Sequence, residues 1–254
     1  MAGAWATPQV LRRVAQRAEA LGYASLWTFQ RVLGPPDVLD PVAALAYVAG
    51  HTERIRLGTA TLCAPFTAPA VLAKQLATVD VLSRGRVTVG LGMGWMESEY
   101  AAAGVPFARR GARMDEYLRC LKALWTQDPV EFAGEFYTVP RTHFRPPPVQ
   151  RPYPPLLLGG TLPAALRRAG RMADGWIASS RHDAAELPRA IATVRGAAGG
   201  PVQIVVRRTT VEDALAVAIT PGVTEVILDL NFAQATLADA ERALETFATR
   251  APSA

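Results

Sequence analysis

The chain has 254 residues, half of them hydrophobic, and a formal net charge of +5. That length suffices for one large domain or two small ones, and no apolar run reaches the length of a membrane span. No signal-like apolar segment opens the chain, so a cytoplasmic protein without membrane contact is expected. Cys63 and Cys120 lie far apart and His51, His143 and His182 fall in separate segments, so neither a disulfide framework nor a metal site is expected. The basic residues are nearly all arginine, with Lys74 and Lys122 the only lysines. Their dispersion argues against a nucleic-acid partner, whereas arginine suits phosphate and carboxylate ligands.

Thr7-Pro8 reads as N-cap and first residue of a helix that ends at Gly22, and Tyr23–Phe29 as a strand. Asp40-Pro41 opens a second helix. Ile55–Thr61 is a short strand whose Gly58 and Ala60 keep the backbone accessible. Pro69 begins a helix carrying Leu72, Leu76, Val79 and Leu82, which Gly85 closes. Arg86–Leu91 is a second strand, running into Gly90, Gly92 and Gly94. Two apolar strands joined by a helix of this length make a right-handed parallel βαβ unit.

Arg109–Trp125 is the clearest helix, with Met114, Tyr117, Leu118, Leu121, Leu124 and Trp125 on one stripe. Residues 128–153 break the rhythm as a small hairpin and a proline-rich excursion. Strands at Leu156–Leu158, Gly175–Ala178, Val202–Val206 and Glu225–Leu230 then alternate with helices at Pro163–Arg171, around Ala184–Arg195, at Val211–Ala218 and at Leu237–Ala248. No linker divides residues 1–254, so a single α/β domain is expected. The strands near residues 24, 56, 87, 156, 176, 203 and 226 are one short of a (β/α)₈ barrel, and a doubly wound open sheet is the alternative.

Gly159-Gly160-Thr161 ends a strand and opens a helix, where free N–H groups and the helix dipole favour an anion; the simpler reading is an ordinary turn with Thr161 as N-cap. Gly90, Gly92 and Gly94 space as GxGxG, and Trp95 follows instead of a packing glycine, so a dinucleotide fingerprint is weak. Trp27 and Trp95 each read equally well as core or as pocket residues. Glu97, Glu99, Arg109, Arg110 and Arg113 read as a solvated face.

The order and spacing of Ala18–Trp27, Arg54–Trp95, Met114–Leu118, Pro129–Val139 and Pro154–Trp176 resemble the bacterial luciferase-like monooxygenase superfamily, and most of all its branch that uses coenzyme F420. The resemblance covers essentially the whole chain. It implies a TIM (β/α)₈ barrel with an insertion at the proline-rich excursion. Relatives begin with a strand before the first helix; residues 1–7 are too few to supply it, so the barrel is expected to lack that N-terminal first strand and to leave two sheet edges open. The resemblance further implies a flat redox ring on the strand ends, over Ala60-Thr61 joined by a cis peptide and beside Gly92, Met93 and Gly94, with Trp27 nearby. It implies that Gly159, Gly160 and Thr161 take the coenzyme's phosphate, that Asp174 serves a turn and that Trp176 fills the barrel. Where relatives often carry Asp-His, this chain has Gln30-Arg31. Arginine does not titrate near neutral pH, so Arg31 can only stabilise charge. Arg31, Gln30 and Trp95 are the expected residues on the reacting side.

The implied activity is F420-dependent hydride transfer to or from a small organic substrate. The alternatives are an FMN-dependent monooxygenase using reduced flavin and O₂, and a non-catalytic or truncated flavin-binding relative. A homodimer is expected; the substrate is not legible.

Overall fold

The structure, a computed structural model, describes residues 7–233 and 236–251. Its first half runs α1 (Pro8–Ala20), β1 (Ser25–Thr28), α2 (Pro41–Ala49), β2 (Arg56–Thr59), β3 (Leu62–Cys63), α3 (Pro69–Leu82), β4 (Val87–Gly92), α4 (Glu97–Ala102) and α5 (Arg110–Thr126). The second half runs β5 (Val130–Ala133), β6 (Thr138–Thr142), β7 (Leu156–Gly159), α6 (Pro163–Met172), β8 (Gly175–Ala178), α7 (Leu187–Ala197), β9 (Gln203–Arg208), α8 (Val211–Ala218), β10 (Glu225–Leu228), α9 (Leu230–Ala233) and α10 (Leu237–Arg250). Side-chain caps fall where the sequence places them: Thr7 accepts from the Val10 amide and Asp40 from the Ala43 amide, each ahead of a proline at the first turn. Thr236 and Asp239 close a capping box on α10.

The main strands form one parallel sheet in the order β1-β2-β4-β7-β8-β9-β10. Alternation along the strands divides the core in two. Trp27, Ala60, Leu157, Ile177, Val205 and Ile227 pack together on one side. Their neighbours Leu158, Trp176, Ile204 and Val206 face the helices and join Leu45, Leu76, Leu118, Leu166 and Val194. A single inner cluster fed by β1, the end of β2 and β7 through β10 requires a sheet curled on itself, so the barrel holds and the doubly wound alternative falls. Trp176 corrects the expectation that it fills the barrel: it lies fully buried in the outer layer, and Ile177 faces inward.

The curl leaves one seam. Among the described residues β1 pairs only with β2 and β10 only with β9. Residues 1–6, on which the expectation of a missing first strand rests, lie outside the described residues. Glu225, at the start of β10, crosses the seam: its Oε1 accepts from Trp27 Nε1 at 3.0 Å and from the Ser25 hydroxyl. A cavity of about 580 Å³ runs along it, from Leu21 and Phe247 at one end to Ala60, Arg207 and Asp229 at the other.

Other departures are local. The expected Ile55–Thr61 strand is shorter, β2 alone, and a further piece, β3, follows beyond it; the two pair successively with β4. The last strand ends at Leu228, because the Asp229 carboxylate accepts the Asn231 amide at 3.0 Å and starts α9. The excursion is the expected antiparallel hairpin, β5 with β6, followed by the prolines. Fully buried Asp80 on α3 anchors its end, accepting from the amides of Val149 (2.7 Å) and Gln150 (3.0 Å) and from Gln150 Nε2 (2.7 Å).

Candidate functional site

The break between β2 and β3 lies at the C-terminal end of the sheet, where barrel enzymes build their sites. The Ala60–Thr61 peptide is cis, as expected from the resemblance. The bulge is held from several sides: the Ala60 amide donates to Thr28 O (2.6 Å), the Gln30 amide to Thr61 O (3.1 Å), and Arg207 Nη1 to Ala60 O (2.9 Å). Gln30 Oε1 accepts the Cys63 amide at 2.8 Å, so this side chain braces the bulge.

The glycines of β4 make room for that bulge. A β-carbon on Gly90 would stand 1.9 Å from the Thr59 carbonyl oxygen, and one on Gly92 2.6 Å from Thr61 Oγ1. The same Thr61 approaches β7, since a β-carbon on Gly159 would lie 3.1 Å from its Cγ2. Ala60-Thr61, Gly92 and Gly159, distant in sequence, therefore meet around one side chain. Met93 and Gly94 follow at the rim, where Tyr100 donates to Met93 O. Cys63 lines this place as well. Burial, reinforced by Glu99 and opposed by Arg31, pushes its thiol up to about 12.

Gly160 has φ +142°, and a β-carbon there would strike Ala165 Cβ at 2.6 Å. The N-cap of α6 is Leu162, without a side-chain hydrogen bond, and the first turn carries no acid. This displaces Thr161 from the cap position expected for it and leaves it exposed ahead of an uncapped helix start. Behind the loop, Trp176 Nε1 donates to Gly160 O at 2.8 Å, and the His182 ring stands edge-on to Trp176 at 5.3 Å. His182 Nε2 and Arg208 Nη2 are buried without a hydrogen-bond partner. Burial, and then the charge of Arg208, hold the His182 imidazole below its ordinary value. Burial likewise lowers Arg208, against the pull of Asp213 and Asp183. An uncapped helix start offers free N–H groups to an anionic group, and two strands further along the sheet Arg208 Nη2 is an unsatisfied buried donor.

Three loops meet above the barrel. Trp95 is 65% exposed, which removes the core reading. The guanidinium of Arg31 lies 5.8 Å from its ring centre and that of Arg181 lies 5.9 Å away. Arg31 Nη1 meets Met96 Sδ, and its Nε is buried and unpartnered. The indole nitrogen of Trp27, in contrast, is engaged with Ser25 and Glu225 at the opposite end of the strand, while its ring covers Gly58.

Residues 2–247 match the model of the luciferase-like monooxygenase family. The chain belongs to this family. An uncharacterised protein of Mycobacterium tuberculosis is 38% identical over 197 residues, which are 76% of this chain and 70% of that protein. The FMNH2-dependent dimethylsulfone monooxygenase of Pseudomonas putida is 33% identical over 220 residues, 81% of this chain and 60% of that enzyme. The fold is similar to the crystal structure of monooxygenase RslO1 from Streptomyces bottropensis, with TM-score 0.85 and 22% identity over 97% of this chain and 94% of that one. It is also similar to the coenzyme F420 dependent tetrahydromethanopterin reductase from Methanopyrus kandleri, with TM-score 0.70 and 18% identity over 84% and 69%.

In this luciferase-like barrel some of the surface charges expected to be solvated are not. Glu99 is 4% exposed, because its Oε1 accepts the amides of Val32 (2.8 Å) and Leu33 (3.2 Å) and so fixes the loop after β1. Arg113 is buried against Pro106 O at 2.7 Å and over the Phe136 ring. Arg181, His182, Arg207 and Arg208 stand around this candidate site without having been singled out from the sequence. One signal was present: Arg207-Arg208 follows directly on the apolar run Ile204–Val206.

Proposed function

We propose that this chain is a flavin-type oxidoreductase whose ring lies over the Ala60-Thr61 bulge, beside Gly92, Met93 and Gly94, with its phosphate at Gly159, Gly160 and Thr161. The observation that carries this reading is the convergence of the bulge, Gly92 and Gly159 around Thr61, next to an uncapped helix start. A bound coenzyme of this kind supplies the electron pair or hydride. The chain's own residues do the rest. The loop amides and exposed Thr161 hold the phosphate, while Arg207 and Gln30 keep the bulge in shape through Ala60 O and the Cys63 amide. The outer face of the ring looks toward Arg31, Gln30 and Trp95, where a small organic substrate is held at reacting distance, ~3–3.5 Å, and charge is stabilised by Arg31.

Reduced FMN with O₂ is the first reading, because the 33% identical relative is FMNH2-dependent. Hydride transfer with F420 is the second, favoured by Arg208 at the end of β9, whose buried Nη2 has no partner and suits an anionic coenzyme tail. Fluorescence titration of the purified protein with FMNH2, FMN and F420 decides. Micromolar FMNH2 binding with reductase-coupled oxygen uptake supports the first; micromolar F420 binding alone moves the assignment to the second. Coenzyme binding without turnover on any substrate panel leaves a non-catalytic binder, and no binding of either coenzyme overturns the proposal.

A further inference from the structure

Arg31 and Arg181 are both anchored on the Trp95 ring and neither forms an ion pair among the described residues. They come from the loops after β1 and β8, and Trp95 from the loop after β4, so the cluster spans the mouth. Three acids nearby are otherwise engaged, while Glu97, two residues past Trp95, is exposed to solvent. Glu99 is held by the amides of Val32 and Leu33, Asp229 by Arg207 Nε at 2.6 Å, and Asp183 by the Ala185 amide at 2.9 Å. Two cations on one ring repel each other, and the buried Arg31 Nε lacks an acceptor, so an anion satisfies both at once. The same rim is apolar: Val32, Leu33, Trp95 and Leu162 are 46%, 40%, 65% and 70% exposed on loops after β1, β4 and β7. Large side chains left in water beside unpaired guanidinium groups form a surface for a molecule that is charged at one end and apolar at the other.

We infer that the substrate is an amphipathic organic anion, a carboxylate, sulfonate or sulfate ester on an apolar body, with its head on Arg31 and Arg181 and its body against Trp95, Val32, Leu33 and Leu162. This rests on the reading of the barrel mouth as a flavin-type oxidoreductase site. It assigns Arg31 and Arg181 to the substrate and leaves the coenzyme phosphate to Gly159–Thr161.

The test is isothermal titration of the full chain with 1-octanesulfonate and, as its neutral counterpart, 1-octanol, in the wild type, R31Q/R181Q, R31K/R181K and W95F. FMNH2 and F420 titrations of the same proteins run in parallel, and thermal melts check folding. Octanesulfonate should bind the wild type more tightly than octanol, weaken with added salt, and lose about tenfold in affinity in R31Q/R181Q. R31K/R181K should recover part of that loss, and coenzyme affinity should stay within about threefold throughout. Equal octanesulfonate affinity in wild type and R31Q/R181Q, or octanol binding as tightly as octanesulfonate, overturns the inference. So does loss of coenzyme affinity in R31Q/R181Q with octanesulfonate binding retained, which would give the arginines to the coenzyme's tail. A wild type that binds octanesulfonate in this pattern but neither coenzyme sinks the flavin reading and leaves the anion site standing.

Discussion

Glu225 Oε1 accepts a hydrogen bond from Trp27 Nε1 at 3.0 Å, and with the Ser25 hydroxyl on the same oxygen it links β1 to β10, the two strands that end the sheet among the described residues. A hydrogen bond to a charged acceptor contributes roughly 1.5–3 kcal/mol, and orphaning buried donors adds to the loss. Glu225→Ala should lower unfolding stability by about 2–3 kcal/mol in urea, with Glu225→Gln closer to wild type. A loss near zero for the alanine variant would show that the seam is held elsewhere.

Gly90 and Gly196 should respond in opposite directions to alanine. At Gly90 the new methyl would collide with the Thr59 carbonyl and with Ile177 Cδ1, so Gly90→Ala should cost more than about 3 kcal/mol or abolish soluble expression. Gly196 lies inside α7 with nothing within 4 Å of its β-carbon position, and Gly196→Ala should stabilise by about 0.5–1 kcal/mol. Equal effects on the melting temperature would contradict the packing of β4 against β2.

His182 makes stability pH-dependent with a definite sign. Its folded value lies below the ordinary one, so as pH falls through about 6.5 the unfolded chain takes up a proton before the folded chain does. Stability contributed by the neutral ring is therefore full above about pH 7 and is lost as pH drops toward the folded value. Melting curves from pH 7.5 to 5.5 should fall, and His182→Gln should flatten that slope; an unchanged slope rules this residue out as its source.

Cys63 should be unreactive despite its place beside the bulge. With the thiol pushed up to about 12, almost no thiolate exists at pH 8, so iodoacetamide should not modify it in the folded protein and should do so in urea. Rapid alkylation of the native chain at pH 8 would show a more open or more positive surrounding than the structure has.

Arg207→Met tests the support of the bulge. Arg207 Nε pairs with Asp229, which is 2% exposed in its side chain, and Arg207 Nη1 holds Ala60 O. Removing one member of a buried pair leaves the other charge uncompensated, so a loss of about 3–5 kcal/mol is expected, together with weaker flavin binding. Unaltered stability would mean that Asp229 is satisfied without this arginine.

Residue order alone carried much of the architecture. Period-two apolar runs and proline or glycine punctuation marked the seven main strands and most of the helices, because secondary structure and the inside-outside pattern depend on near neighbours. The glycine turn at Gly159-Gly160 was legible from the residues, and the cis peptide at Ala60-Thr61 through the family resemblance. What no local pattern encodes is which distant groups share a space. That Thr61 fills the gap left by Gly92 and Gly159, that Glu225 closes the seam on Trp27, that Glu99 is buried by the amides of Val32 and Leu33, and that Arg31 and Arg181 meet on Trp95 were decided by the tertiary structure. Sheet closure brings strand ends together irrespective of their separation along the chain, and a charge is buried or solvated according to the donors that closure puts beside it.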